Sequence, residues 1–585
     1  MSTLSSILSN FRYCLKYSKK NTIFSFICKI ILGLMMPIQV FVISRLLDLH
    51  SMSADLKILL IALSLNILIE RLLNAYSIHV DGLLELDLDY GLSFELINDI
   101  SEMELQNFES PKTRDLINRV SRELAQEVFS GYIAILDFIK LLVKVIGLVL
   151  VVSAQVWYLG ILMVLFSVPL IYFSVKSGNE QYKGIVVSEQ LRSQYDYFTD
   201  LIVSKDSALE RIIFNSFHYL NDKWKSKYKE WFDINYSSSK RFVFQTKLSS
   251  ILMSFLAVVC MFLLIKPTLE GKITTGVYIA VVGNVYALVQ LMSWSLSKNL
   301  SDIARWIAFN NEYEDFKRIS RIELNNNKII NIEKIEKIEF KNVSFKYPET
   351  DKEILKNVNL VFETGKSYGL VGENGSGKTT LIKLLTGIYS NFTGEILING
   401  IDIRNLQKEV IGRLFSVVFQ DFAKYEISLR ENISLGNETL YQTEEINGIL
   451  SKNGLSNLVS ELQDGIDTKL GRLSKESIGI SGGQWQRVAI ARCLSRPGTI
   501  KILDEPTASI DPIEESRIYE KFKEIAQNET TILITHRLGA TKIVDHLFVL
   551  KDGSILESGT HNELMNLDGY YSKMYCKQRS FYEKN

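Results

Sequence analysis

The stretch that most restricts this chain is GENGSGKTT, residues 372–380, preceded by KSYGLV and followed by LIKLLTG. An apolar run, a glycine-rich loop and a second apolar run with helical spacing predict a strand, a tight loop and a helix. Gly372, Gly375 and Gly377 let the loop curl so that its N–H groups face one anion, a geometry open to residues without a Cβ. The loop Gly372, Glu373, Asn374, Gly375, Ser376, Gly377, Lys378, Thr379 and Thr380 is thereby expected to hold a nucleotide. Lys378 would reach the β- and γ-phosphates, and Thr379 would offer a hydroxyl to Mg²⁺.

Further segments fit the same chemistry. IKILDEP ends an apolar strand in Asp504 and Glu505. The first carboxylate suits a hydrated Mg²⁺, and the second suits orienting or deprotonating a water. TILITHR ends another strand in His536, placed to meet a γ-phosphate. Lys501, inside the first of these strands, is expected to reach an edge or the domain surface. A second glycine loop, Ser481-Gly482-Gly483-Gln484 in SIGISGGQWQR, also offers backbone N–H groups and a hydroxyl. One nucleotide does not need two such loops on one chain.

The first half reads differently. IFSFICKIILGLMMPIQVFVIS, within 23–47, is long enough for a bilayer core of roughly 30 Å at about 1.5 Å per residue. Lys29 interrupts it and no cleavage site follows, so an anchor is expected rather than a signal peptide. Comparable runs lie near 55–76, 133–154, 157–176, 247–266 and 275–297. Six clustered spans predict an α-helical polytopic membrane domain over 1–320. A linker at 321–336, an α/β nucleotide-binding domain at 337–575 and a tail at 576–585 follow. A composition 47% hydrophobic yet 23% charged suits such a mixture.

Charge gives the orientation. The breaks at DLHSMSAD and SAQVWY carry no Lys or Arg, whereas the N-terminal stretch and the connections near 77–130 and 177–245 are dense in charge. Both termini are therefore expected in the cytoplasm. The two connections are too long for loops and read as helical extensions. Each has an elbow: one near MELQNFESPKTRDLINR, where Pro111 breaks the helix, and one near KDSALERIIFNSFHYLNDKW, where Ile212, Ile213, Phe214 and Phe217 are free to dock. Asp137, Lys140 and Lys144 share a helix face in the third span, either lining a polar path or lying below the lipid. The zero formal net charge favours no nucleic-acid partner, and the five scattered cysteines read as free thiols.

The ordered set of Walker A at 372–379, Gln420 in SVVFQD, ISGGQ, LDEP, SID at 509–511 and ITHR resembles an ATP-binding cassette protein. Six spans before one cassette is similar to an ABC exporter half-transporter, of the type IV exporter fold, and the likeness covers nearly the whole chain. The resemblance implies ATP and Mg²⁺ as cofactors, with Thr379, Gln420 and Asp504 toward the metal and Glu505, His536 and Gln420 in catalysis. It implies that Tyr347 stacks on adenine, that Gln420 also signals to the membrane half, and that Asp511 reaches across to a partner cassette. It also explains the second loop. In the family, Ser481, Gly482, Gly483 and Gln484 would cap the ATP held by another chain, so a homodimer with two intact sites is expected. Ile480 stands where leucine is commoner.

LGRLSKESIGISGGQWQR and FQDFAKYEISLRENI resemble exporters of lanthipeptides and related bacteriocins. A modified peptide is therefore the expected cargo, with a lipid or drug as the alternative, and export across a bacterial cytoplasmic membrane as the setting. With no room before residue 23 for a leader-trimming peptidase, export without cleavage is expected. A non-pumping channel or sensor on the same frame is the rival from another class. The spans argue against a soluble ABC ATPase, and the fusion of both halves argues against an importer.

Overall fold

A computed structural model describes the chain apart from residues 1–2, 48–53, 156–190 save isolated positions, 206, 272, 291–294, 323–331, 333, 349, 436, 438–441, 497, 499, 507–515, 517, 521, 525–528 and 583–585. The chain forms two compact units. One comprises Met1–Met103 and Pro111–Glu323; the other comprises Glu104–Ser110 and Leu324–Asn585.

The first unit is helical among its described residues: α1 (Thr3–Tyr17), α2 (Lys19–Leu47), α3 (Ala54–Ser101), α5 (Pro111–Gln155), α6 (Ala208–Ile213), α7 (Phe217–Leu269), α8 (Thr275–Gln290) and α9 (Leu296–Ile322), with α4 (Leu105–Glu109) belonging to the other unit. Helices α3 and α7 run 48 and 53 residues. At about 1.5 Å per residue each exceeds twice a bilayer's apolar thickness. One described helix, α2, is long and apolar enough to cross a membrane by length and composition. The expected spans at 55–76, 133–154 and 247–266 fall inside α3, α5 and α7, and 275–297 covers α8 and the start of α9. The span at 157–176 lies almost wholly outside the described residues.

The core of this unit follows helical spacing. Leu84, Leu88, Leu92 and Leu96 on α3 face Val120, Leu124, Val128 and Leu136 on α5 and Trp306, Phe309, Tyr313 and Phe316 on α9. Spacings of three, four or eight residues place each set on one stripe, which is what lets three helices share one seam. Elsewhere α2 and α5 come so close that a Cβ on Gly147 would sit 2.5 Å from Pro37 Cγ. The Asp137 carboxylate does not stand alone: Lys29 Nζ on α2 lies 3.0 Å from it and 3.2 Å from Asp81 on α3.

The second unit carries two sheets. A four-stranded antiparallel sheet has the order β2-β1-β4-β5, from β1 (Lys337–Lys346), β2 (Glu353–Glu363), β4 (Thr393–Ile398) and β5 (Ile401–Asp402). A six-stranded sheet has the order β10-β9-β3-β8-β7-β6, from β3 (Ser367–Gly372), β6 (Phe415–Val418), β7 (Ile500–Asp504), β8 (Thr530–Ile534), β9 (His546–Lys551) and β10 (Ser554–Gly559). Strands β9, β3, β8, β7 and β6 are mutually parallel. Every residue of β3, β7 and β8 is buried, as expected where helices cover both faces of a parallel sheet. Three helices of this unit carry or touch its glycine loops: α10 (Lys378–Leu385), α11 (Gly482–Ser495) and α12 (Tyr570–Tyr582).

Two features depart from expectation. Lys501 reaches no surface. It is buried, and its ammonium donates to the carbonyl of Arg496, the residue that ends the helix Gly482–Ser495. The boundary between the halves is also not linear, because helix α4, at the first elbow, belongs with the second unit. Glu109, on that helix, accepts from the Tyr389 hydroxyl and lies 3.9 Å from Lys383, and Glu104 pairs with Lys408 at 3.2 Å. Pro111 is the first residue of α5, where its missing N–H costs nothing.

Candidate nucleotide site

The site stands at the carboxyl ends of four adjacent parallel strands, β3, β8, β7 and β6, where open α/β sheets place their ligands. Strand β3 runs into the glycine loop, and Gly377 caps α10 at φ +105°. A Cβ there would meet Leu355 Cδ2 at 2.7 Å, so the position requires glycine on two counts. Lys378, at the start of the helix, is buried, and its ammonium is held by the carbonyls of Gly372 and Glu373, both at 3.0 Å. Burial lowers its pKa, and the nearby Glu505 and Asp504 oppose that shift.

Strand β7 delivers two carboxylates with opposite settings. Asp504 is 1% exposed and receives the Thr379 hydroxyl at 2.8 Å. Burial first, then the neighbouring Glu505 and Asp421, pushes its pKa up to about 6, against the pull of Thr379 and Lys378. Glu505 turns out of the strand at φ +49°, a left-handed backbone uncommon for a residue with a Cβ, and its N–H is held by the Ile534 carbonyl at 3.0 Å. Such strain persists where the surroundings enforce it, and it commonly marks a functional position. The turn points the carboxylate at two partners: Gln420 Nε2, just beyond β6, at 3.0 Å, and His536 Nδ1, just beyond β8, at 3.2 Å.

A cleft of about 470 Å³ opens here, lined by Tyr347, Asn374, Gly375, Gly377, Lys378, Thr379, Thr380, Gln420 and Glu505 together with Lys352 and Ile354. Tyr347 closes one side. Its ring packs edge-on against Phe345 and Tyr389, and its hydroxyl bonds Thr380 at 2.9 Å. Two buried oxygens, Ser376 Oγ and Asp504 Oδ1, have no hydrogen-bond partner among the described residues. Buried polar atoms are normally satisfied, so this pair fits a site whose ligands are a phosphate and a cation. Lys352 and Ile354 belong to no sequence motif; they reach the cleft because β2 lies beside the loop.

Ser481–Gln484 does not line this cleft. Ser481 caps α11 in a reciprocal box: Ser481 Oγ accepts from the Gln484 N–H at 3.2 Å, and Gln484 Oε1 accepts from the Ser481 N–H at 2.7 Å. Ser481 and Gly482 are exposed. The following Trp485 is buried in the helical subdomain, and Arg487 donates to the Gly454 carbonyl at 3.0 Å. Asp511 lies outside the described residues.

A sheet with this loop, these carboxylates and this histidine at its carboxyl edge defines a nucleotide-hydrolysing domain. Residues 355–508 match the ABC transporter family model. The chain is 29% identical over 506 residues to the subtilin transport ATP-binding protein of Bacillus subtilis, covering 86% of this chain and 82% of that one. It is 26% identical over 524 residues to the nisin transport ATP-binding protein of Lactococcus lactis, covering 87% and 84%. The ATP-dependent lipid A-core flippase of Escherichia coli K12 matches at 26% over 497 residues, 81% of each chain. Among solved structures, a bacterial Atm1-family ABC exporter with ATP bound superposes with a TM-score of 0.78 at 19% identity, over 96% of this chain and 98% of that one. Residues 355–508 form an ABC transporter ATP-binding domain, and the chain is similar over most of its length to ABC exporters, which implies ATP hydrolysis coupled to transport.

Proposed function

We propose that this chain exports a peptide of the lanthipeptide or bacteriocin class across a bacterial cytoplasmic membrane, as a homodimer driven by ATP. The cargo reading rests on the two relatives described as subtilin and nisin transport proteins, each matched over more than four-fifths of both chains. The match to lipid A-core flippases supports lipid as the second reading. Six spans with both termini cytoplasmic would give the helical unit its crossings, α2 being the first.

The observation that carries the ATP chemistry is the convergence of Gln420 and His536 on Glu505 beside the cleft. Glu505 would take the proton of the attacking water, and His536 would contact the γ-phosphate. Lys378 would leave its two carbonyls for the phosphates, and Tyr347 would stack on the base. Thr379, Asp504 and Gln420 would hold Mg²⁺, which neutralises phosphate charge when bound. The N–H groups at the start of α11, with Ser481, would meet the ATP of a second copy, and Asp511 would reach the same site. The apolar elbow α6 fits a partner surface as well: Ile212, Ile213 and Phe214 are 73–76% exposed.

The test is ATP turnover of the full chain in lipid nanodiscs, with and without leader-bearing precursor peptides, against Glu505→Gln. Stimulation by one peptide supports the reading and nominates a cargo. Stimulation by lipid, with peptides inert, replaces it with the lipid reading.

A further inference from the structure

The C-terminal helix α12 touches two loops of the nucleotide site from outside the cleft. The Tyr570 hydroxyl donates to Glu373 Oε1 at 2.7 Å. Glu373 belongs to the phosphate loop, and its own carbonyl is one of the two that hold the Lys378 ammonium. Two turns further on, Gln578 Nε2 donates to the His536 carbonyl at 3.1 Å. The His536 ring in turn faces Glu505. One helix thus holds the backbone of the residue that faces the catalytic carboxylate and the side chain of a residue that parks the phosphate-binding lysine.

We propose that α12 is a brace that positions the phosphate loop through Tyr570 and the His536 loop through Gln578. Neither side chain touches the reacting atoms; both are positioning residues. The helix is anchored well enough for that role. The Glu557 carboxylate receives the N–H groups of Tyr570 and Tyr571, at 2.6 and 3.0 Å, which satisfies donors that a helix start leaves open. Tyr571 is fully buried, and its hydroxyl lies between Thr541 Oγ1 at 2.6 Å and His561 Nδ1 at 2.7 Å. Thr541 sits in the short turn Leu538–Ile543 that leaves the His536 loop. The Lys551 ammonium lies 4.4 Å over the Tyr570 ring and holds it in place. Burial and the Glu373 carboxylate push the Tyr570 phenol up to about 12, so it remains a donor at neutral pH.

The two contacts act on different steps. Tyr570 orients the loop that binds ATP, whereas Gln578 orients the histidine that acts on bound ATP. The inference rests on the ATPase activity, and its test is an ATP titration on the full chain in nanodiscs. Removing one charge-assisted hydrogen bond, Tyr570→Phe should raise KM for ATP roughly 3- to 10-fold with kcat unchanged. Gln578→Leu should lower kcat by a similar factor with KM unchanged. Glu373→Ala should match Tyr570→Phe, and combining the two should add nothing further. Tyr571→Phe serves as the comparator: it should lower the melting temperature without separating KM from kcat. Unchanged kinetics in Tyr570→Phe and Gln578→Leu would overturn the brace. So would additive effects of Tyr570→Phe and Glu373→Ala, or a joint fall of kcat and melting temperature in every variant. Glu505→Gln in the same series separates the two levels, because turnover surviving there sinks the ATPase assignment and not merely the brace.

Discussion

The chain has two glycine loops at the start of helices, and they differ in almost every respect except composition. Gly372–Thr380 follows a fully buried strand, lines a cleft, encloses a buried ammonium and leaves Ser376 Oγ unpaired. Ser481–Gln484 is largely open to solvent, and its serine and glutamine satisfy each other. The first is a cradle whose polar atoms call for a ligand. The second is a finished helix cap whose first two residues are exposed. Glycine-rich sequence therefore says that a backbone can approach an anion; burial and unsatisfied atoms say where the anion goes. We infer that the outward loop meets the nucleotide of a second copy.

The comparison breaks most decisively at catalysis. Glu505→Gln should lower ATP turnover by about 10²- to 10⁴-fold, the usual worth of a general base, while nucleotide binding survives. Phosphate release and equilibrium binding check this together, and turnover at the parent rate would remove Glu505 from the mechanism. The pairing of loops is tested by complementation. Chains carrying Lys378→Ala and chains carrying Ser481→Arg should each be inactive alone. Co-expressed, they should recover roughly a quarter of parent turnover, because half the dimers form with one intact composite site. If each loop served its own chain's nucleotide, co-expression would restore nothing.

Smaller effects sharpen the contrast between the paired and the unpaired interior. Asp504 has its pKa raised to about 6 by burial, so its charged form costs folding energy without a cation beside it. That cost is absent at low pH, where the carboxyl is protonated in both states. It grows as pH rises from the unfolded value near 4 through about 6. Asp504→Asn should therefore match the parent at pH 4 and exceed its nucleotide-free stability by on the order of 2 kcal/mol above pH 7, while losing turnover. Chemical unfolding across that range checks the sign; a gap that narrows with rising pH would refute it. Lys501 is the basic counterpart, its pKa lowered by burial. Lys501→Met should stabilise the cassette at neutral pH, with the gain fading as pH climbs toward the ordinary lysine value near 10. Unfolding of the two proteins at pH 7 and pH 10 checks it.

Much of the site is legible in the order of residues alone. GENGSGKTT, LDEP and ITHR identify themselves because the spacing of glycine, lysine, hydroxyl and carboxylate is dictated by phosphate chemistry, and each follows an apolar strand. The features that are not legible are set by neighbours distant in sequence or outside the motif. Lys501 reads as an edge residue, since nothing within IKILDEP reveals that Arg496 offers it a carbonyl. Asp137 reads as one charge on a helix face shared with Lys140 and Lys144, and only the approach of α2 supplies Lys29 as its partner.

The amino-acid sequence by itself determined the nucleotide chemistry and the division into an apolar helical half and an α/β half, because local spacing and hydrophobic period encode both. Tertiary structure alone decided which strand ends converge, that Glu505 takes a left-handed turn toward Gln420 and His536, that α4 belongs with the cassette, and that Tyr570 and Gln578 reach the site from the far end of the chain. Those facts depend on the order in which strands pair and on contacts between residues far apart in the chain, which no local pattern carries.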